Sequence, residues 1–269
     1  MPKGTKMERG LPVAKKAKTS AAVVRDSPFD ALLDAAAQSC AEQRIKQARP
    51  TTIVFTGGPG VGKSTLAEHL VARLGDKAVL VPEAAMVAID ALNGMLGKSG
   101  QLGWRTAHSA AFGDLVGRIA MEQETRAFAS SSPSSAADGD ISSAGKAAPS
   151  VQFMIFDRTV LDGIAYSIQR GYPLPEYLSV DVVARVAARI DHVFILEPVA
   201  LAADLQTRNK ATGRKTDPVR SAALSGALHK VYERLGCRTS RLVPGSSEER
   251  AEAVLRQCGI ACASQPASD

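Results

Sequence analysis

The sequence predicts an α/β protein in which one five-stranded parallel sheet is covered by helices on both faces. Five short runs of mostly apolar and β-branched residues have the length of buried strands, and they span residues 52–55, 78–81, 153–156, 192–196 and 239–243. Apolar residues at helical spacing separate or follow these runs at residues 64–74, 84–96, 107–128, 160–170, 181–189, 217–235 and 247–258. Strands that alternate with helices in this way favour a parallel sheet, because each helix carries the chain back to the same edge.

The composition is that of an ordinary globular protein. The chain has 269 residues, of which 45% are hydrophobic and 22% charged. No stretch approaches the roughly 18 apolar residues of a membrane-spanning helix, which excludes an integral membrane protein. The four cysteines form neither a disulfide framework nor a CxxC site, and Cys258 and Cys262 are expected to be thiols near a helix end. We therefore expect a reducing compartment, the cytoplasm.

The N-terminal segment is strongly basic. Residues 1–25 contain seven lysines and arginines against one glutamate, and they account for the whole formal net charge of +6. We expect residues 1–26 to form a disordered, solvated tail. Contact of this tail with anionic partners or with the import machinery is the alternative, and import would place the protein in the nucleus.

The domain borders follow from helix signals and composition. Residues 27–49 are predicted to form an N-terminal helix, with Ser27 as N-cap, Pro28 at the first helical position and Pro50 as the end. The main domain then covers residues 50–260, and residues 261–269 form a second disordered tail. Residues 130–150 contain eight serines, five alanines and only one large apolar side chain, so we expect a disordered surface insertion there.

A phosphate-binding loop follows the first predicted strand. Residues 57–65 read GGPGVGKST, which fits the G-x-x-x-x-G-K-[ST] pattern between a strand and a helix. Glycines let backbone N–H groups curl around a phosphate, and the helix N-terminus adds positive potential. We expect Lys63 to reach the β and γ phosphates and Ser64 to be a ligand of Mg²⁺. The predicted nucleotide contacts in this loop are Gly58, Gly60, Val61, Gly62, Lys63, Ser64 and Thr65.

A carboxylate follows the second predicted strand. Glu83 comes directly after Val81-Pro82, at the edge of the sheet where the phosphate loop also lies. A carboxylate there is a candidate general base that orients an acceptor hydroxyl group and takes its proton. A surface glutamate that caps the next helix is the alternative.

The third predicted strand ends in Phe156-Asp157-Arg158 at the same edge. Asp157 has the position of a Walker B carboxylate that holds Mg²⁺, and Arg158 is a candidate to hold a substrate or phosphate oxygen. An internal Asp–Arg ion pair is the alternative. Asp162 and Tyr166 follow on one face of the next helix, where Tyr166 is either a site residue or part of the core.

A basic segment follows the fourth predicted strand. Residues 208–215 read RNKATGRK, four cations around a glycine. Such a segment suits a lid that folds over the transferring phosphate, with Arg208 as a nucleotide contact. A solvated loop is the alternative.

Taken together, these residues resemble the NadR- and Ttd14-type AAA-domain ATPases, a P-loop family close to the nucleoside kinases that includes bacterial ribosylnicotinamide kinase. The resemblance covers residues 51–259 and depends on the following segments: 56–65, 81–85, 156–158 with 162 and 165–166, 231–236, and 243–250. It implies a three-layer, nucleoside-kinase-like P-loop fold for residues 50–260, with Glu83 as the acceptor-side carboxylate and Arg214 as the catalytic lid arginine. Residues 197–200 and 210–213 depart from the family pattern.

Two functions from different classes are compatible with these features. The first is a kinase that transfers the γ-phosphate of Mg-ATP to a hydroxyl group of a nucleoside-like metabolite, with GTP as the alternative donor. The second is a nucleotide-dependent regulatory protein with slow hydrolysis and a protein or anionic-lipid partner. The histidines show no metal-ligand spacing. Trp104 and Phe112 lie where relatives bind the acceptor, although core packing is the favoured interpretation for both.

Overall fold

The computed structural model describes residues 27–44, 49–130, 151–197 and 218–260. The predictions for the tail 1–26, for residues 131–150 of the insertion and for residues 261–269 lie outside these described residues. So do those for Arg208 and Arg214. None of the described helices is both long and apolar enough to cross a bilayer.

The predicted parallel sheet is confirmed. Its strands are β1 (Thr51–Gly57), β2 (Ala78–Val81), β3 (Phe153–Asp157), β4 (His192–Leu196) and β5 (Thr239–Leu242). They lie in the order β2-β3-β1-β4-β5, and every neighbouring pair is parallel. Because β1 is central and all strands share one direction, the residues that follow β1, β2 and β3 meet at one edge of the sheet.

Helices cover both faces, as predicted. They are α1 (Pro28–Gln43), α2 (Lys63–Leu74), α3 (Ala84–Ala107), α4 (Ser109–Ser130), α5 (Asp162–Arg170), α6 (Val180–Ala188), α7 (Pro218–Arg234) and α8 (Ser247–Gln257). Side chains alternate along β1, so that Val54 joins the core formed with α1, α5, α6 and α7, while Ile53 and Phe55 join the core formed with α2 and α8. The result is a three-layer arrangement of helices, sheet and helices.

One predicted helix end is wrong. Helix α1 begins as predicted, with Ser27 as N-cap, but it ends at Gln43 and does not reach Pro50. The predicted helix end at residue 96 coincides with a break inside α3, because Gly97 has a non-helical backbone conformation with a φ of 69° and a ψ of 167°. The sequence did not predict the helical segment that follows this kink and continues to Ala107.

Candidate active site

The phosphate loop connects the central strand to α2. Strand β1 ends at Gly57, and α2 begins at Lys63 with Gly62 as its N-cap. Gly62 has a φ of 86°, a left-handed conformation that glycine adopts without a Cβ clash. The first backbone amides of α2 therefore lie at the edge of the sheet. Because the N–H groups in the first turn of a helix have no acceptor within that helix, they and the helix dipole stabilise an anion there.

Helix α7 lies directly against the start of the loop. A Cβ atom at Gly58 would lie 1.7 Å from Ser221 Oγ, so only glycine allows this contact. The Gly58 amide donates to Ser225 Oγ at 3.3 Å. Sequence reasoning found the glycine but not the helix that packs on it, and the phosphate contact expected of Gly58 stays a prediction.

Lys63 folds back over the loop that precedes it. Its Nζ donates to the carbonyl oxygen of Gly58 at 2.8 Å, and the side chain is buried. Burial, with a contribution from the positive charge of Arg158, lowers the pKa of Lys63 to about 8. The ammonium group is thus held beside the loop, where a phosphate group would favour its charged form.

The two predicted metal ligands, Ser64 and Asp157, lie in direct contact. The Ser64 hydroxyl donates to Asp157 Oδ2 at 2.5 Å, and Asp157 Oδ1 is buried without a hydrogen-bond partner among the described residues. Burial raises the pKa of Asp157. A hydroxyl and a carboxylate with a spare oxygen are the donor types that Mg²⁺ takes from a protein, so these residues fit the ion. The described residues contain no cluster of three or more His, Cys, Asp or Glu side chains suited to a metal.

Arg158 is held by three segments of the chain. Its backbone has a φ of 78°, and its amide donates to the carbonyl of Phe55. The guanidinium donates to the carbonyl oxygen of Gly57 at 2.8 Å and to Asp162 Oδ2 at 2.9 Å, and its Nε lies 3.4 Å from Glu83 Oε1. It is therefore ion-paired, but with Asp162 and Glu83 rather than with its neighbour Asp157. Burial lowers the pKa of Arg158, but Tyr166 and then the carboxylates of Asp162, Glu83 and Asp157 more than offset it, so the pKa is raised.

Asp162 gathers donors from distant parts of the chain. The hydroxyl groups of Thr56 and Tyr232 donate to its two carboxylate oxygens at 2.6 and 2.7 Å, in addition to Arg158. Asp162 thus joins β1, α5 and α7 behind the site. The sequence placed it on the correct helix but gave no sign of these partners.

Glu83 is not an exposed residue whose side chain caps α3, which was the alternative that the sequence left open. Its side chain is 11% exposed and makes no capping hydrogen bond to α3. It lies beside the Arg158 guanidinium, at the edge of the sheet next to the phosphate loop, as required of an acceptor-side carboxylate.

A cavity of about 680 Å³ opens beside this group of residues. Its wall includes Pro59 of the phosphate loop, Glu83 and Arg158, together with the aromatic side chains of Phe112, Tyr166, Tyr172 and Tyr177. The expectation that Phe112 is a core residue is wrong, because it lines this cavity under the guanidinium of Arg105. Trp104 is half-buried against His108 and also lies outside the core. A pocket of this size accommodates a nucleoside-sized molecule.

Sequence reasoning missed two further residues near the site. Glu124 on α4 lines the cavity, where its Oε1 accepts the amide of Val160 at 2.6 Å. Arg250 on α8 lies behind the loop and donates to the carbonyl oxygens of Val61 at 2.8 Å and Val243 at 3.1 Å. Glu124 resembles the exposed acidic residues around it in the sequence, so no local signal marks it. Arg250 belongs to segment 243–250, on which the family resemblance depends in part, but the sequence gave it no role.

Comparison with known proteins identifies a family. The sequence matches the model of a family described as an AAA domain over residues 52–250, well over half of the chain. A structure of thymidylate kinase from Candida albicans is similar at 15% sequence identity and a TM-score of 0.43, and the similarity covers 80% of this chain and 93% of that chain. At that identity and TM-score the likeness gives no information on substrate. Comparison with curated proteins gives no match.

Proposed function

The chain belongs to the AAA domain family of P-loop proteins, and we propose that it is a kinase for a small nucleoside-like metabolite. The γ-phosphoryl group would pass from ATP, or alternatively GTP, to a hydroxyl group of the acceptor. Within the family we place the chain with the NadR- and Ttd14-type proteins, on the motifs given above.

The observation that carries this proposal is the cavity beside the phosphate loop. Pro59, Glu83 and Arg158 form part of its wall, so an acceptor in the cavity lies next to the end of a bound polyphosphate. A switch or motor protein needs no enclosed acceptor pocket at this position. The four aromatic side chains in the wall suit a planar ring.

Each site residue then has a role in the transfer. The backbone amides of residues 60–65 and the ammonium group of Lys63 bind the phosphates, while Glu83 accepts the proton of the acceptor hydroxyl group. A bond forms between that oxygen and the γ phosphorus as the bond to the β–γ bridging oxygen breaks, which leaves ADP. Ser64 and Asp157 would hold Mg²⁺, whose contribution is to neutralise charge on the phosphate oxygens. Arg208 and Arg214 remain candidates for the lid.

The charges in the cavity favour an acceptor that carries no phosphate of its own. Among the described residues, the wall holds three arginines and five acidic side chains: Arg105, Arg158 and Arg170, and Glu83, Asp114, Glu124, Asp162 and Glu176. Arg158, the cation nearest the phosphate loop, is already paired with two of these carboxylates. An anionic acceptor would therefore meet a wall with an excess of negative charge.

The test supplies ATP and Mg²⁺ together with a panel of nucleosides and follows ADP release and the mass of each nucleoside. We expect turnover only with certain acceptors, and a mass gain of one phosphoryl group on those acceptors. Slow hydrolysis that is indifferent to every acceptor would refute the kinase and favour the regulatory alternative with a protein or anionic-lipid partner. We also propose a cytoplasmic location, with the nucleus as the alternative, and contact of the basic tail with an anionic partner or the import machinery.

Substitution of Glu83 tests its role as the base. Glu83→Gln removes the proton acceptor but keeps the size of the side chain, so we expect turnover to fall about 10²-fold or more, with ATP affinity unchanged in calorimetry. Glu122→Gln, on the exposed side of α4, is the matched control and should have wild-type activity. Undiminished turnover in the Glu83 variant would contradict the assigned role.

A further inference from the structure

One buried carboxyl group in the cavity takes no part in the proposed transfer. Glu124 lines the cavity and is 4% exposed. Its Oε1 is occupied by the amide of Val160, whereas its Oε2 is buried and has no hydrogen-bond partner among the described residues. A buried polar atom left unpaired is destabilising, and a ligand bonded to it would remove that cost.

The protonation state of Glu124 determines whether Oε2 donates or accepts a hydrogen bond. Burial raises the pKa of Glu124 to about 8, against the opposing effect of the Val160 amide. The charged groups that act on it are Asp162 on α5, which favours the neutral form, and Arg189 after α6, which favours the ionised form. At neutral pH the carboxyl group is therefore mainly uncharged. Its proton lies on Oε2, because Oε1 is the oxygen that already accepts a hydrogen bond.

We propose that Glu124 determines acceptor specificity by donating a hydrogen bond from Oε2 to a carbonyl oxygen on the ring of the substrate. The inference rests on the proposed kinase function and deepens it, since it names the substrate class. The acceptor is a nucleoside-like molecule whose ring presents a carbonyl group, rather than an amino group, to the wall formed by α4.

The discrimination follows from pairing donors with acceptors. A ring carbonyl completes the hydrogen bond of Oε2, whereas a ring amino group at the same position brings two donors together and leaves both unpaired. Sites built around a buried hydrogen bond reject analogues that cannot form it, in favourable cases by far more than a size difference achieves. We therefore expect a preference of at least about tenfold for the carbonyl compound.

The experiment uses two pairs of nucleosides that differ mainly in this group: uridine with cytidine, and inosine with adenosine. For each nucleoside, kcat and KM are measured with ATP and Mg²⁺, and binding is measured by calorimetry with a non-hydrolysable ATP analogue present. The proteins are the wild type, Glu124→Gln, Glu124→Met and the exposed control Glu122→Met. Glutamine offers an oxygen to Val160 and N–H groups to the ligand, whereas methionine offers neither.

We expect the wild type to prefer the carbonyl member of at least one pair, through KM and binding rather than through kcat. Glu124→Gln and Glu122→Met should retain this preference, and Glu124→Met should lose it with ATP affinity unchanged. Equal use of both members by the wild type, or preference for the amino member, overturns the inference even where the methionine variant fails to fold. Turnover and binding of none of the four nucleosides would refute the proposed function and this inference with it.

Discussion

We expect the buried carboxyl group of Glu124 to make the free energy of unfolding depend on pH. Its pKa rises from an ordinary 4.5 to about 8 in the folded protein because burial disfavours the charged form. Below the lower value the group is protonated in both the folded and unfolded chains, so it has no differential effect. Between the two values only the unfolded chain has lost the proton, so the free energy of unfolding falls as the pH rises, and above about 8 the effect is constant.

Glu124→Gln removes this titration while keeping an oxygen for the Val160 amide. Each pH unit in the window is worth about 1.4 kcal/mol, so between about pH 5.5 and pH 7.5 the variant should gain roughly 3 kcal/mol relative to the wild type. Urea unfolding of both proteins at several pH values measures the difference. Glu122→Gln, on the exposed side of the same helix, should run parallel to the wild type. If the difference in the free energy of unfolding between Glu124→Gln and the wild type stays constant or shrinks as the pH rises, the buried carboxyl group is not neutral and the reasoning is refuted.

Two further substitutions test the packing around the loop. Tyr232→Phe removes a buried donor to Asp162, and we expect a loss of about 1–3 kcal/mol in the free energy of unfolding, measured in urea. Gly58→Ala places a methyl group on Ser221 and should cost about 1–3 kcal/mol by overpacking, seen as a lower melting temperature and weaker ATP binding. Gly226→Ala has open space within α7 and should instead stabilise by up to about 1 kcal/mol, so similar effects of the two alanines would contradict the close contact at Gly58.

The sheet and the phosphate loop could be predicted because their signals are local. Strands such as β1 read as continuous apolar runs, since both of their faces are buried, and the loop has a fixed spacing of glycines before Lys63. The carboxylates Glu83 and Asp157 follow from the same logic, because residues just after parallel strands share one edge of the sheet. Ser64 and Asp157 duly lie within hydrogen-bond distance.

The remaining features depend on tertiary packing that no short segment reveals. Glu124 belongs to the run Glu122-Gln123-Glu124, which looks like the polar face of a helix. Its side chain is nevertheless buried, because α4 packs against the segment that contains Val160, between β3 and α5. Phe112 looks like a core residue, but it faces a cavity because α3 and α4 form the wall of that cavity. Two of the donors to Asp162, Thr56 and Tyr232, come from segments more than 60 residues away on either side.

The central claim is that the loop amides and Lys63 hold a nucleoside triphosphate at the mouth of the cavity. Calorimetric titration of the full chain with Mg-ATP and Mg-GTP, beside the Lys63→Ala variant, tests this claim most directly. We predict saturable binding of at least one triphosphate by the wild type and a loss of at least about 100-fold in affinity in the variant, which corresponds to about 2.7 kcal/mol. Absence of binding to the folded wild-type protein, or equal affinity in the variant, would contradict the account.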